Sequence, residues 1–120
     1  MYPEDFIEKL KEQVLNDNLR NYKQIYESTI IDDKVKKDPY YGDALTFYRS
    51  LPTKKKEIIF KIIQLTIIDT TSTILGIIDG PVSLEGVNGD FILTYKAPNE
   101  IETVLSGDLQ TDFLNTIDLE

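Results

Sequence analysis

Residues 54–79, KKKEIIFKIIQLTIIDTTSTILGIID, decide how the rest of the chain must be arranged. At 100° per residue the apolar side chains from Ile58 to Ile78 leave almost no polar face, and a helix apolar all round is one that its neighbours bury. Isoleucine is a weaker helix former than leucine, so packing rather than propensity must hold this segment. Gly80-Pro81 stops it. Lys54, Lys55 and Lys56 oppose the dipole in its first turn, as suits a solvated end or one facing an anion or an acidic neighbour. A membrane span needs about 20 residues with few charges, and here Lys61, Gln64, Asp69 and residues 70–73 interrupt the run. The expectation is a buried central helix, no membrane partner and a cytoplasmic location.

Upstream, Pro3 suits a first helical turn, and Glu4, Asp5 and Glu8 suit the positive end of its dipole. Phe6, Ile7, Leu10 and Val14 recur at helical spacing until Asn16-Asp17-Asn18 breaks the pattern. A second helix over about 17–29 follows, and the two can equally be one bent helix. Residues 30–39 read as a loop. Asp43 is a candidate cap for a short helix over 44–51, and Thr53 for the long one.

Downstream the hydrophobic period changes to two. Residues 90–96 alternate as a strand, Ala97-Pro98-Asn99-Glu100 is turn chemistry, and 101–105 read as the returning strand. Residues 82–87 are a candidate third strand, with Asn88-Gly89 as a hairpin turn. Ser106 or Asp108 can cap a last helix, Leu109–Asn115. The fold class is therefore α+β within one domain, 1–120: N-terminal helices including a long buried central one, then a small antiparallel hairpin and a short C-terminal helix.

Composition narrows the chemistry. The 120 residues contain no cysteine and no histidine. Disulfides, thiolate nucleophiles, Ser-His-Asp and Cys-His arrangements and zinc-hydrolase sites are thereby excluded. No phosphate-binding glycine loop, EF-hand ligand order or tight carboxylate triplet stands out, so neither a metal nor another cofactor is expected. The sequence reads as that of a protein that is not an enzyme.

Charge is unevenly placed. From Asp79 to Glu120 there are nine acids and one base, Lys96, which accounts for the whole net charge of −8. Such a field repels nucleic acid despite the lysines at 34–37 and 54–56, and it speeds capture of a basic protein. A small acidic domain without catalytic side chains has the physical profile of a toxin-neutralising, immunity-type inhibitor. Asp90, Glu100, Glu102, Asp108 and Asp112 are the candidate contacts, with Tyr40 and Tyr41 as aromatic anchors. The alternative is a structural or regulatory subunit that pairs its first helices with a copy of itself. Along the central helix, Thr66, Asp69, Thr73 and Gly76 fall on one row. They form either a polar groove open to a ligand or a buried network fixing a helix crossing, because an ionised Asp is costly to bury alone.

Overall fold

In the computed structural model, which describes residues 1–118, helical backbone runs without a break from Pro3 to Ser28. Helix α1 (Pro3–Lys11) passes through a π-helical segment, Glu12–Asp17, into α2 (Asn18–Ser28). Of the two alternatives, the single continuous helix is the one realised, and its π-helical segment falls where Asn16-Asp17-Asn18 interrupts the pattern. The Asn18 side chain donates to the Val14 carbonyl at 2.9 Å, satisfying a backbone acceptor where the ladder widens.

Helix α3 (Asp33–Lys36) starts where the Asp32 carboxylate accepts the Val35 N–H at 2.9 Å. Helix α4 (Gly42–Ser50) begins earlier than an Asp43 cap would allow. The Asp38 carboxylate closes the preceding turn by accepting the N–H groups of Tyr41 and Tyr40, at 2.9 and 2.8 Å. Those two bonds hold its carboxyl below the usual carboxylate range. Helix α5 (Thr53–Asp79) follows, with Pro52 and not Thr53 at its cap position. Its 27 residues make a rod about 40 Å long.

Two apolar clusters form along that rod. Around its C-terminal half, Ile68 and Leu75 pack with Ile7 and Leu15 from the first helical run and with Leu109 and Phe113 from α6 (Leu109–Asn115). Around its N-terminal half, Tyr26 of α2 and Tyr48 of α4 meet Phe60 edge to face and each other at a tilt, with ring centroids 5.2 to 6.3 Å apart. The first helical run therefore lies antiparallel to α5, with α1 at one end of the rod and α2 at the other.

Tyr48 is buried, and its hydroxyl donates to Glu27. Burial first, and the Glu27 carboxylate second, push that hydroxyl from 10.0 up to about 12. The folded state thus favours the protonated phenol. Stability present below pH 10 is lost as pH rises through about 12. In urea unfolding across this window, the advantage of the wild type over Tyr48→Phe should shrink. An advantage that holds constant with pH would contradict this.

After α5 the chain forms strands β1 (Thr94–Tyr95) and β2 (Thr103–Val104), paired antiparallel with Thr94 opposite Val104. The hairpin is the expected one but much shorter. Residues 82–87 are irregular backbone with a turn at 85–86 rather than a third strand. Backbone here is drawn back to the helix end, where the Val82 N–H donates to the Gly76 carbonyl at 3.1 Å. The architecture is α+β, with one long central helix, as the sequence indicates.

Burial along that helix is uneven. Ile68, Ser72, Leu75 and Gly76 are buried, whereas Ile58 and Ile62 remain 53% and 54% exposed and Leu65 45%. The expectation of all-round burial fails on both halves: α2 and α4 cover only one side of the N-terminal half, and Ile74 in the C-terminal half is 52% exposed. The whole shape reflects this. The radius of gyration is 18.4 Å, against about 14 Å for a compact chain of this length. The accessible surface of 8982 Å² exceeds that of a compact monomer of this mass by roughly 2,300 Å².

Candidate partner-binding surfaces

The acidic hairpin is held at its base and free along its length. Leu93 does most of the holding: its N–H donates to the Ser106 hydroxyl at 3.0 Å, and its carbonyl accepts the Leu105 N–H at 2.8 Å. Leu105 is buried and Leu93 half-buried against the main cluster. Beyond that anchor the residues of both strands are exposed. Ile101 is 91% exposed, Ile92 70%, and Phe91, Tyr95 and Val104 are also exposed. Asp90, Glu100 and Glu102 are exposed beside them. Asn99 turns the tip with a φ of 62°, a left-handed conformation that asparagine tolerates.

Asp108 and Asp112 lie at the start of α6, the first exposed and the second half-buried. Neither Asp108 nor Ser106 caps the helix with its side chain. Ser106 is engaged by Leu93, and the cap comes from Asp79 at the end of α5. One Asp79 oxygen accepts the Gly107 N–H at 2.7 Å and the other the Gln110 N–H at 2.8 Å. Sequence reasoning missed this role, although a signal existed. An acid in the last turn of a helix faces the negative end of the dipole, so it must serve something else.

The candidate anchors do not form one surface. Tyr40, 83% exposed, and Tyr41 precede α4, which packs on α2 near the N-terminal half of α5. The hairpin and α6 belong to the opposite end of that helix. Tyr41 instead joins Ile25, Val35 and Leu45 around a cavity of about 410 Å³. The acids, by contrast, remain unneutralised. The one ion pair among the described residues joins Arg20 to Asp17, at 3.0 Å. Glu120, counted among the nine C-terminal acids, lies outside the described residues.

The polar row on α5 divides in two. Gly76 is closed: a Cβ there would come within 2.7 Å of both the Gln110 side chain and Val82, so the glycine seats α6 rather than leaving room for a ligand. Ser72, one turn earlier, accepts from the Gln110 amide at 3.3 Å. Thr66, Asp69 and Thr73 are exposed. The two threonine hydroxyls bond back to the carbonyls of Ile62 and Asp69, each at 2.8 Å, and so turn no free donor outward. A groove of about 260 Å³ does touch Thr66, between α2 and α5, but it is lined by Tyr22, Tyr26, Ile62, Ile63 and Ile67 and takes in neither Asp69 nor Gly76.

The basic side chains gather elsewhere. A cleft of about 530 Å³ between α2 and α5 is edged by Arg20, Lys23, Lys56 and Lys61 together with Glu27 and Glu57. Lys56 lies over the Tyr48 ring, 5.3 Å from its centroid. Among the described residues no group of three Asp, Glu, His or Cys stands close enough to hold a metal ion. By length and composition α5 could cross a bilayer, and only 17% of its most apolar 18-residue window is buried within the fold.

Compared with protein-family models, curated proteins and solved structures, the chain matches none.

Proposed function

We propose that this chain is a non-catalytic protein-binding domain whose C-terminal hairpin captures a basic protein. The observation that carries this reading is the hairpin itself: five exposed apolar side chains on a ribbon edged by Asp90, Glu100 and Glu102, with no described cation neutralising them. Specific interfaces combine apolar anchors, buried on contact, with a polar rim that excludes water. Ile101 between Glu100 and Glu102 supplies both parts within three residues. The carboxylates draw a cationic partner in and set its orientation, while the apolar groups slow its release. A toxin-neutralising, immunity-type inhibitor is the concrete form of this role.

Affinity capture from the native cell tests it, with wild type compared against Ile101→Asp and a Glu100→Lys/Glu102→Lys double variant. All three positions are exposed, so the variants should keep the wild-type circular dichroism. Wild type should retain a basic protein that both variants lose. Its hold should weaken steeply as salt rises from about 0.01 to about 1 M, where the screening length falls from about 30 to about 3 Å. Retention indifferent to salt and to both variants would remove this reading.

A further inference from the structure

We propose that two copies of this chain pair through the open face of α5, antiparallel about a two-fold axis passing between Ile62 and Leu65. The surface is separate from the hairpin, so the pairing stands or falls independently of the partner proposed above.

Area is the first ground. A chain that exposes roughly 2,300 Å² more than a compact monomer of its mass has the excess that a permanent dimer covers, since such interfaces take about 1,000 to 2,500 Å² from each partner. Part of that excess is on α5. Ile58, Ile62, Leu65 and Asp69 follow one another at steps of four, three and four, the spacing of a helix-pairing seam. The three apolar members are each about half exposed. Ile74 is equally exposed but lies on a different row of the helix and takes no part.

The flanking side chains favour a second helix. Thr66 and Thr73 have their hydroxyls satisfied internally, so a neighbouring backbone can approach without stripping water from a free donor. The groove beside Thr66, floored by Ile63 and Ile67 and walled by Tyr22 and Tyr26, widens the apolar strip towards α2.

Self-complementarity selects a second copy over other occupants. With the axis between Ile62 and Leu65, Ile62 of one copy meets Leu65 of the partner subunit, and the reverse. Asp69 then falls within about one turn of Lys61 of the partner subunit, within reach of its long side chain. Both groups are exposed, and neither joins an ion pair among the described residues. The same two charges count against a lipid surface, because Lys61 and Asp69 on this face would have to enter the apolar layer with Ile62 and Leu65. Pairing through the first helices would need a face already in use within the chain, since Ile7 and Leu15 pack against α5 and α6.

Sedimentation equilibrium on the purified chain, diluted to about 1 μM, tests the pairing. Wild type should be a dimer, and Leu65→Glu should weaken self-association about 100-fold or more. Asp69→Lys alone should also weaken it, and the Lys61→Asp/Asp69→Lys exchange should recover much of the loss. Circular dichroism separates dissociation from unfolding. If Leu65→Glu fails to fold, recovery in the charge exchange decides. A wild type that is monomeric throughout, a dimer indifferent to these substitutions, or a monomer that floats with phosphatidylcholine vesicles would each overturn the proposal.

Discussion

Phe113→Ala should cost about 3–5 kcal/mol, a large part of the 5–15 kcal/mol by which a domain is ordinarily stable. The ring is fully buried on a helix of only seven residues, and it touches a cluster drawn from both ends of the chain and the central helix. A helix that short has little stability of its own and stays in place through Leu109 and Phe113. Removing the ring takes away apolar contact and leaves a cavity that α1 and α5, each held by other contacts, cannot fill. The extended shape makes the loss harder to absorb, because the buried apolar residues are few. In a thermal melt followed by circular dichroism the midpoint should fall by about 10–20 °C. Phe91→Ala, the same change on the exposed hairpin, should stay within about 0.5 kcal/mol of wild type. A melt in which the two variants behave alike would mean that α6 is not docked through Phe113.

Local rules made the helical half of this fold legible. Pro3 at a helix start, the 3.6-residue recurrence of Phe6, Ile7, Leu10 and Val14, and Gly80-Pro81 as a stop each act within a few residues, and each has its expected consequence. The hairpin in the second half was legible for the same reason: alternation around Leu93 and turn chemistry at 97–100 specify it. Length was not. Strand pairing extends only where something supports it, and among the described residues no third strand flanks β1 and β2.

Burial on α5 was the feature least legible in the sequence. Apolar residues on every side of a helix say that neighbours are wanted, not that this chain supplies them. Ile68 and Leu75 find α6 and the π-helical segment, whereas Ile58, Ile62 and Leu65 stay about half exposed. The same ambiguity divided the row from Thr66 to Gly76. Spacing put these residues on one face, but it could not foresee that α6 would cover only the lower part of it. For the acidic residues, sequence placed the excess charge in the last third, and the fold leaves it without described ion pairs. Tyr40 and Tyr41 could not be assigned to an end of the molecule, because that depends on how α4 returns against α2.

Asp79→Ala should cost about 2–4 kcal/mol, and Asp79→Asn nearly as much, with the loss concentrated in α6 and the base of the hairpin. The carboxylate uses both oxygens, one for the Gly107 N–H and one for the Gln110 N–H, and so joins the end of one helix to the start of another. Two energies meet there. The negative end of α5 disfavours the charge, and the positive end of α6 favours it. Bonds from two backbone donors to an ionised acceptor tip the balance, since each is stronger than a neutral hydrogen bond. Asparagine keeps the shape but has one acceptor oxygen, and its amide would turn N–H against N–H at the other position. Shape alone therefore cannot rescue the contact. Hydrogen exchange provides the readout: protection of Gly107, Gln110 and the α6 amides should fall in both variants, while amides around Tyr26, Tyr48 and Phe60 keep theirs. Asparagine matching wild type would mean that the site needs a filler of the right size and not a charge. A uniform loss across the molecule would mean that α6 and the aromatic end of α5 unfold as one unit.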